Sequence, residues 1–354
     1  MTEPDHDRQQ LEVWLRAEMG PEATITAYDA GVTGFSNETV LFSATWETGG
    51  VSASRDLVLR KPRTTVKFFP DYDIEFQYRM LQALQANGLP TPAPVWFEAD
   101  PGHLGVPFYV MERIPGTVPN DGPPTGIHGG GFYFDATEAE RTALWHRSLD
   151  ALATLHQVDP HTLALPFPSI PRTVREAVDT QLRTIETWLR WGTSEPIPAI
   201  DTALDIVRRS TPEESDIVLC WGDAKPGNLV YRDHTVVGVL DWEMSFLGCP
   251  EMDVMYWIIT DEVSAATFDV PRLSGCPGRE DTIRYYEQVA GRTLVDLEFH
   301  ELLQTLRLAV LLVLADRVVT ELGIAQYFPD NWSTNNPPYH KLLELAATTV
   351  AEKA

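Results

Sequence analysis

Positive charge is scarce in this chain: 27 Lys and Arg stand against 51 Asp and Glu among 354 residues, a formal net charge of −24. Nucleic-acid binding needs Lys and Arg to neutralise phosphates, so no nucleic-acid partner is expected. The acidity reads first as solubility and second as a possible acidic cleft for a cationic substrate. Cysteine is scarce as well. Cys220, Cys249 and Cys276 form no CxxC pair and no signal peptide is discernible ahead of them. The expectation is a reduced, cytoplasmic setting in which the three thiols are small buried apolar groups. Long hydrophobic runs are missing too: Leu308–Ala315, bounded by Arg307 and Asp316, is far too short to span a bilayer, so no membrane partner is expected. There is no internal repeat and no low-complexity tract. What is present is an ordinary globular composition at a length that favours two lobes over one core.

The chain changes character along its length. Glu38–Trp46 and Arg55–Arg60 have strand composition and are separated by Gly49-Gly50, a turn signal. Asp71–Ala86 places Ile74, Gln77, Tyr78, Leu81 and Leu84 on one helical face, ended by Asn87-Gly88. Pro107–Met111 reads as another strand, so the first part is expected to be short strands around one helix. Residues 119–135 (PNDGPPTGIHGGGFYFD) read as a long Gly/Pro/aromatic loop, a length that in compact domains is usually functional. Thr137 with Glu140 has capping-box spacing, and Leu144, Ser148, Leu152 and Leu155 follow at helical intervals. Further helices are expected over about 171–191, 200–209, 281–289 and 297–321. The reading is α+β, with a β-rich lobe over residues 1–112 and a larger, mostly helical lobe over 113–354.

The chemistry concentrates in residues 219–253, LCWGDAKPGNLVYRDHTVVGVLDWEMSFLGCPEMD. Asp223 follows the hydrophobic stretch Ile217–Cys220, Lys225 comes two residues later, and Pro226-Gly227 lets Asn228 turn back toward Asp223. Thr235–Leu240 reads as a short buried strand that delivers Asp241, thirteen residues beyond Asn228. A hairpin between Asn228 and Asp241 would bring an amide oxygen and a carboxylate to one hard cation such as Mg²⁺. One carboxylate to accept a hydroxyl proton, one lysine to neutralise a transferring phosphoryl group and one such ion make up a phosphoryl-transfer site. Glu243 is either a neighbouring carboxylate of that site or a salt-bridge partner.

Gly222-Asp223, Asn228, Leu240-Asp241-Trp242-Glu243 and Asp253 together resemble the aminoglycoside phosphotransferase/choline kinase family, and within it the branch associated with acyl-CoA dehydrogenases. The resemblance runs from about Gly31 to Leu345 and implies a two-lobed protein-kinase-like fold, with ATP between a small β-rich N-lobe and a larger helical C-lobe. It implies Asp223 as catalytic base, Lys225 on the phosphoryl group, and Asn228 and Asp241 as Mg²⁺ ligands. Thr33–Thr39 takes the place of the nucleotide-covering loop. It lacks GxGxxG, but Gly34, Ser36 and Asn37 could meet phosphates through backbone N–H groups and the Ser36 hydroxyl. Arg60 falls at the phosphate-anchoring position, with Lys61 as runner-up on the opposite face of the strand. Met111, Glu112 and Ile114 would meet adenine through the backbone.

Three departures accompany the resemblance. Gln77 stands where a helix Glu usually holds the anchoring cation, Arg60 replaces the usual Lys, and Trp221 stands where a structural His is usual. His156 is read as structural, and Asp253 as a brace for the catalytic loop. The expected protein is an ATP- and Mg²⁺-dependent phosphotransferase with an alcohol group of a small molecule as acceptor. Residues 119–135, Phe132, Tyr133 and Phe134 among them, would shape the acceptor site together with the helices after Pro160. A nucleotide-binding pseudokinase is the alternative, and the oligomeric state stays open.

Overall fold

The computed structural model describes residues 3–33, 36–64 and 66–352. The chain divides into two compact units, Met1–Pro115 and Gly116–Ala354.

The first unit is built on a five-stranded antiparallel sheet of order β1-β2-β3-β5-β4. Its strands are β1 (Thr24–Thr33), β2 (Asn37–Thr48), β3 (Val51–Pro62), β4 (Pro94–Glu98) and β5 (Phe108–Glu112). Gly49 and Gly50 both have positive φ, which a tight turn between β2 and β3 requires. The sequence reading expected one helix here; the described residues form two. The second, α2 (Ile74–Ala86), begins at Asp73, whose carboxylate accepts from Phe76 N, and buries Ile74, Gln77, Leu81 and Leu84. The first, α1 (Glu3–Met19), buries Leu11, Trp14 and Leu15. With Leu57 and Leu59 of β3, Val40 and Phe42 of β2, and Phe108 and Val110 of β5, they form one core, in which Trp14 meets Trp96 and Phe108 edge to face. This helix escapes a periodicity reading because charged and polar residues fill three of its faces and only a narrow stripe is apolar.

The second unit is mostly helical. Residues 119–135 are not one open loop: α3 (Gly126–Gly129) and α4 (Phe132–Asp135) are single turns within it. There follow α5 (Glu138–Gln157), with the Thr137/Glu140 capping box in place, α6 (Val174–Gly192) and α7 (Pro198–Ser210). Short strand β6 (Val218–Cys220) pairs with β9 (Phe246–Gly248), and between them β7 (Leu229–Arg232) and β8 (Thr235–Val239) form a hairpin. β8 is only partly buried: its first residue is exposed and burial is complete only at Gly238 and Val239. Then come α8 (Pro250–Thr267), α9 (Arg279–Ala290), α10 (Leu297–Glu321) and α11 (Pro337–Glu352). The core gathers Val178 and Ile185 of α6, Ile200 and Val207 of α7, and Leu303, Leu306 and Val310 of α10 around β6 and β9. Neither α8 nor α11 is legible as an amphipathic helix. In α8 every residue from Pro250 to Ile259 is buried, so no polar face marks the period. Among the described residues no helix is long and apolar enough to cross a membrane, and the three cysteines are buried and free.

Candidate active site

β6 delivers the backbone to Trp221-Gly222-Asp223, and a buried network holds it there. Asp253, in the first turn of α8, accepts from Trp221 N at 2.6 Å and from Gly222 N at 2.9 Å. His156 Nε2 lies 3.1 Å from Asp253 Oδ2, and His156 Nδ1 lies 2.7 Å from Tyr286 Oη. Asp253 therefore takes up two loop amides with one carboxylate, a charge-assisted arrangement that fixes the loop's path. Trp221 is buried and donates Nε1–H to Leu240 O at 2.7 Å, tying β6 to the residue before Asp241. Gly222 has a φ of +85°, and a Cβ there would collide with the Met244 carbonyl, so no other residue fits.

Asp223 is buried and has donors on both oxygens. Oδ2 accepts from Asn228 Nδ2 at 2.7 Å, and Oδ1 accepts from Tyr256 Oη at 3.0 Å. Asn228 Nδ2 also reaches Asp223 O at 3.1 Å, closing the Pro226–Asn228 turn back on the aspartate. Lys225 Nζ lies 3.4 Å from Asp223 Oδ2 and 2.8 Å from Asp121 Oδ2. Desolvation disfavours the ammonium, but Asp121 and Asp223 outweigh it and hold Lys225 well above its ordinary value, so it is a fixed cation. Asp121 was not singled out in the sequence; it belongs to residues 116–135, which a bridge between Thr117 and Tyr231 joins to β7.

Asn228 and Asp241 flank the two ends of the β7–β8 hairpin. Leu240 N donates to Asn228 O at 2.9 Å, and Leu229 pairs with Val239, so the two residues share the base of the hairpin. Asp241 has a φ of +60°, a left-handed conformation that Asp tolerates better than most residues. Because Asn228 spends its amide N–H on Asp223, its Oδ1 is the atom left to coordinate. An amide oxygen and a carboxylate are the hard donors that Mg²⁺ takes, so this pair fits that ion.

Tyr133, expected near the acceptor, is fully buried: its hydroxyl lies 3.4 Å from Tyr231 Oη, which in turn lies 2.6 Å from Ser148 Oγ. Burial satisfies its ring better than solvent does, so it anchors α4 and cannot line an open site. Phe132 packs on Tyr133 and Tyr231, while Phe134 remains exposed.

In the first unit, strand alternation separates Arg60 from Lys61. Lys61 shares the α1-covered face with Leu57 and Leu59, where Asp7 Oδ2 lies 2.6 Å and Glu38 Oε2 3.1 Å from its ammonium. Burial works against that charge, and the two carboxylates outweigh it, raising its pKa. Arg60, on the other face, reaches Thr39 Oγ1 at 3.4 Å and is paired across the sheet with Tyr109, whose hydroxyl donates to Gln77 Oε1 at 3.5 Å. Ser36 and Asn37 are buried, with Asn37 Nδ2 3.4 Å from Ser36 Oγ; Gly34 lies outside the described residues. Met111 is buried in β5, and Glu112 pairs with Arg55 at 2.9 Å. The N–H groups of Glu112 and Arg113 donate to Ala93 O and Asp56 O, and Ile114 follows them, partly buried.

Comparison with known proteins agrees with this architecture. A family model described as "Phosphotransferase enzyme family" matches residues 32–293. Acyl-CoA dehydrogenase family member 11 of Mus musculus is 27% identical over 304 residues, 80% of this chain and 36% of that protein. The chain thus spans about a third of that relative's length. Among solved structures, a candidate aminoglycoside phosphotransferase from Ralstonia eutropha superposes with a TM-score of 0.67 at 23% identity over 98% of both chains. Choline kinase LicA from Streptococcus pneumoniae gives 0.61 at 13% identity, over 97% of this chain and 99% of its own. Aminoglycoside phosphotransferase APH(4)-Ia, in a ternary complex with AMP-PNP and hygromycin B, gives 0.58 at 16% identity, over 96% and 99%. With three quarters of its length inside the family's bounds and protein-kinase-like neighbours throughout, the chain belongs to the phosphotransferase enzyme family.

Proposed function

We propose that this phosphotransferase moves the γ-phosphoryl group of ATP to a hydroxyl of a small molecule, with Mg²⁺ as cofactor. The observation that carries the reading is Asp223, a buried carboxylate held at both oxygens beside a permanently charged lysine. Such a carboxylate is placed to accept the acceptor's hydroxyl proton as the oxygen attacks. Lys225 neutralises the group in flight, which requires it to leave Asp121 for phosphate or to bridge the two. Asn228 Oδ1 and Asp241 would hold Mg²⁺, which supplies charge neutralisation on phosphate oxygens. We assign nucleotide binding to residues 1–112 and transfer to residues 113–354. Within the first, Arg60 is the phosphate anchor, Gly34, Ser36, Asn37 and Gln77 are the accompanying nucleotide contacts, and Met111, Glu112 and Ile114 carry the adenine.

The solved relative that holds AMP-PNP and hygromycin B supports a nucleotide and a hydroxylated acceptor for this chain too. Exposed Val118 and Phe134 on the segment that bears Asp121 favour an acceptor with apolar character. An ATP-consumption screen against hydroxylated metabolites tests the reading. Asp223→Ala should abolish transfer while ATP still binds, and full activity in that variant refutes the base. Asp241→Ala should lose Mg²⁺-dependent nucleotide affinity. Mg·ATP binding without turnover against any alcohol would replace the enzyme by a nucleotide-binding regulatory module.

A further inference from the structure

Arg307 is the one charge within an otherwise apolar stretch of α10, and it is 1% exposed. Among the described residues it makes no ion pair. A buried guanidinium without a carboxylate is unfavourable unless its surroundings offset the lost hydration. Here they include the Asp223 loop and its supports, together with Gln304 Oε1 at 3.5 Å on the same helix and the Trp188 ring of α6 at 5.9 Å. Nη1 donates to Gly222 O, one residue before Asp223, at 2.6 Å, and Nη2 reaches toward Met244 O, three residues past Asp241, at 3.5 Å. The guanidinium lies 5.0 Å from the centre of the Tyr256 ring and 5.3 Å from that of Phe246. Tyr256 is the residue that donates to Asp223 Oδ1.

We propose that Arg307 and Tyr256 form a positioning pair beneath Asp223, an inference that rests on Asp223 being the base. A carboxylate with a donor on one oxygen only can still rotate about its Cβ–Cγ bond. Asn228 holds Oδ2 and Tyr256 holds Oδ1, so the two together fix which lone pair faces the acceptor hydroxyl. Arg307 fixes both ends of this arrangement: it pins the carbonyl that precedes the base and covers the ring that carries the second donor. Tyr256 acts through the carboxylate of the base, and Arg307 through Gly222 O and the Tyr256 ring. Burial, then the Asp223 charge, push the Tyr256 phenol far up, which keeps it a proton donor. The fork geometry explains an arginine in preference to a lysine, since one guanidinium reaches two carbonyls while its face is offered to the neighbouring rings.

The test uses the full chain with Mg·ATP, and water as the probe acceptor, reading ADP release. Tyr256→Phe keeps the ring and removes only the donor. It should lower kcat by about 100-fold, the order that a misplacement of about an ångström brings, and leave KM for ATP within about twofold. Arg307→Met should fall in the same way, and Arg307→Lys, which keeps the charge, should recover roughly tenfold of that loss. The double variant should be no worse than Tyr256→Phe alone, because the two act through one carboxylate. Active wild type with an unchanged kcat in Tyr256→Phe overturns the pair and leaves the base standing. Equal losses in kcat and nucleotide affinity also overturn it, since they mark general loosening. Wild type that releases no ADP with water or with any alcohol of the metabolite screen overturns the phosphotransferase reading itself and this inference with it.

Discussion

Asp223, Lys225 and Asn228 lie within six residues of one another, and their contacts are local consequences of a turn. Arg60 and Lys61 are harder to tell apart, because neighbouring cations on a strand differ only in the face they point to. The structure gives Lys61 two carboxylate partners on the α1 side, and this leads to opposite outcomes for the two variants. Lys61→Met should destabilise the chain by about 1–3 kcal/mol, because Asp7 and Glu38 lose their partner. Mg·ATP affinity should barely change. Arg60→Met should weaken Mg·ATP binding by about tenfold or more, the effect of losing one charge-assisted phosphate contact. Urea melts and nucleotide titration of both variants separate the roles; a loss of affinity in Lys61→Met alone would exchange them.

Helices α8 and α10 show how a whole element can serve the loop at Asp223. α8 presents Asp253 and Tyr256 one turn apart, so one carboxylate holds the loop's backbone and one phenol holds its side chain. α10 contributes Arg307 and, two turns earlier, His300. That imidazole is fully buried, neither ring nitrogen has a hydrogen-bond partner among the described residues, and burial pushes its pKa down to about 3. The folded chain therefore holds it neutral, while the unfolded chain protonates it below about pH 6.5. Stability is lost as the pH falls from there, and the loss is complete near the folded value of about 3. Between neutral pH and pH 5 the loss from this one group should be about 2 kcal/mol. Nearby Glu251 is shifted upward by burial and acts in the opposite sense, so the comparison must be with His300→Leu. Urea unfolding of both proteins at the two pH values checks it; equal pH slopes would remove His300 from the account.

The molecule as a whole carries a charge of −24, and carboxylates outnumber cations almost two to one. Self-repulsion of that size destabilises the folded state at low ionic strength, and salt screens it. Raising NaCl from about 20 mM to about 500 mM should raise the melting temperature by about 2 °C or more, the shift that about 1 kcal/mol produces in a large domain. A fall would mean that paired surface charges outweigh the net repulsion. The order of elements was largely legible in the sequence: the β2–β3 hairpin announced itself through Gly49-Gly50, α2 through its apolar stripe, and α5 through its capping box. α1 and α8 did not, since one buries too narrow a stripe and the other is buried on every side.

By itself the sequence determined the loop at Asp223 and the hairpin after it, because Asp223, Asn228 and Asp241 depend on turn and strand geometry that operates over a few residues. It also determined the family, through those same spacings. The tertiary structure decided what stands around them. Asp121, Asp253, Tyr256 and Arg307 come to the loop from segments up to 104 residues away in the chain, and tertiary packing gives the buried carboxylate its second donor, Tyr256. Lys61 and Tyr133 were removed from the open site for the same reason: each found a better partner in the interior, one in carboxylates and the other in a hydroxyl and aromatic rings.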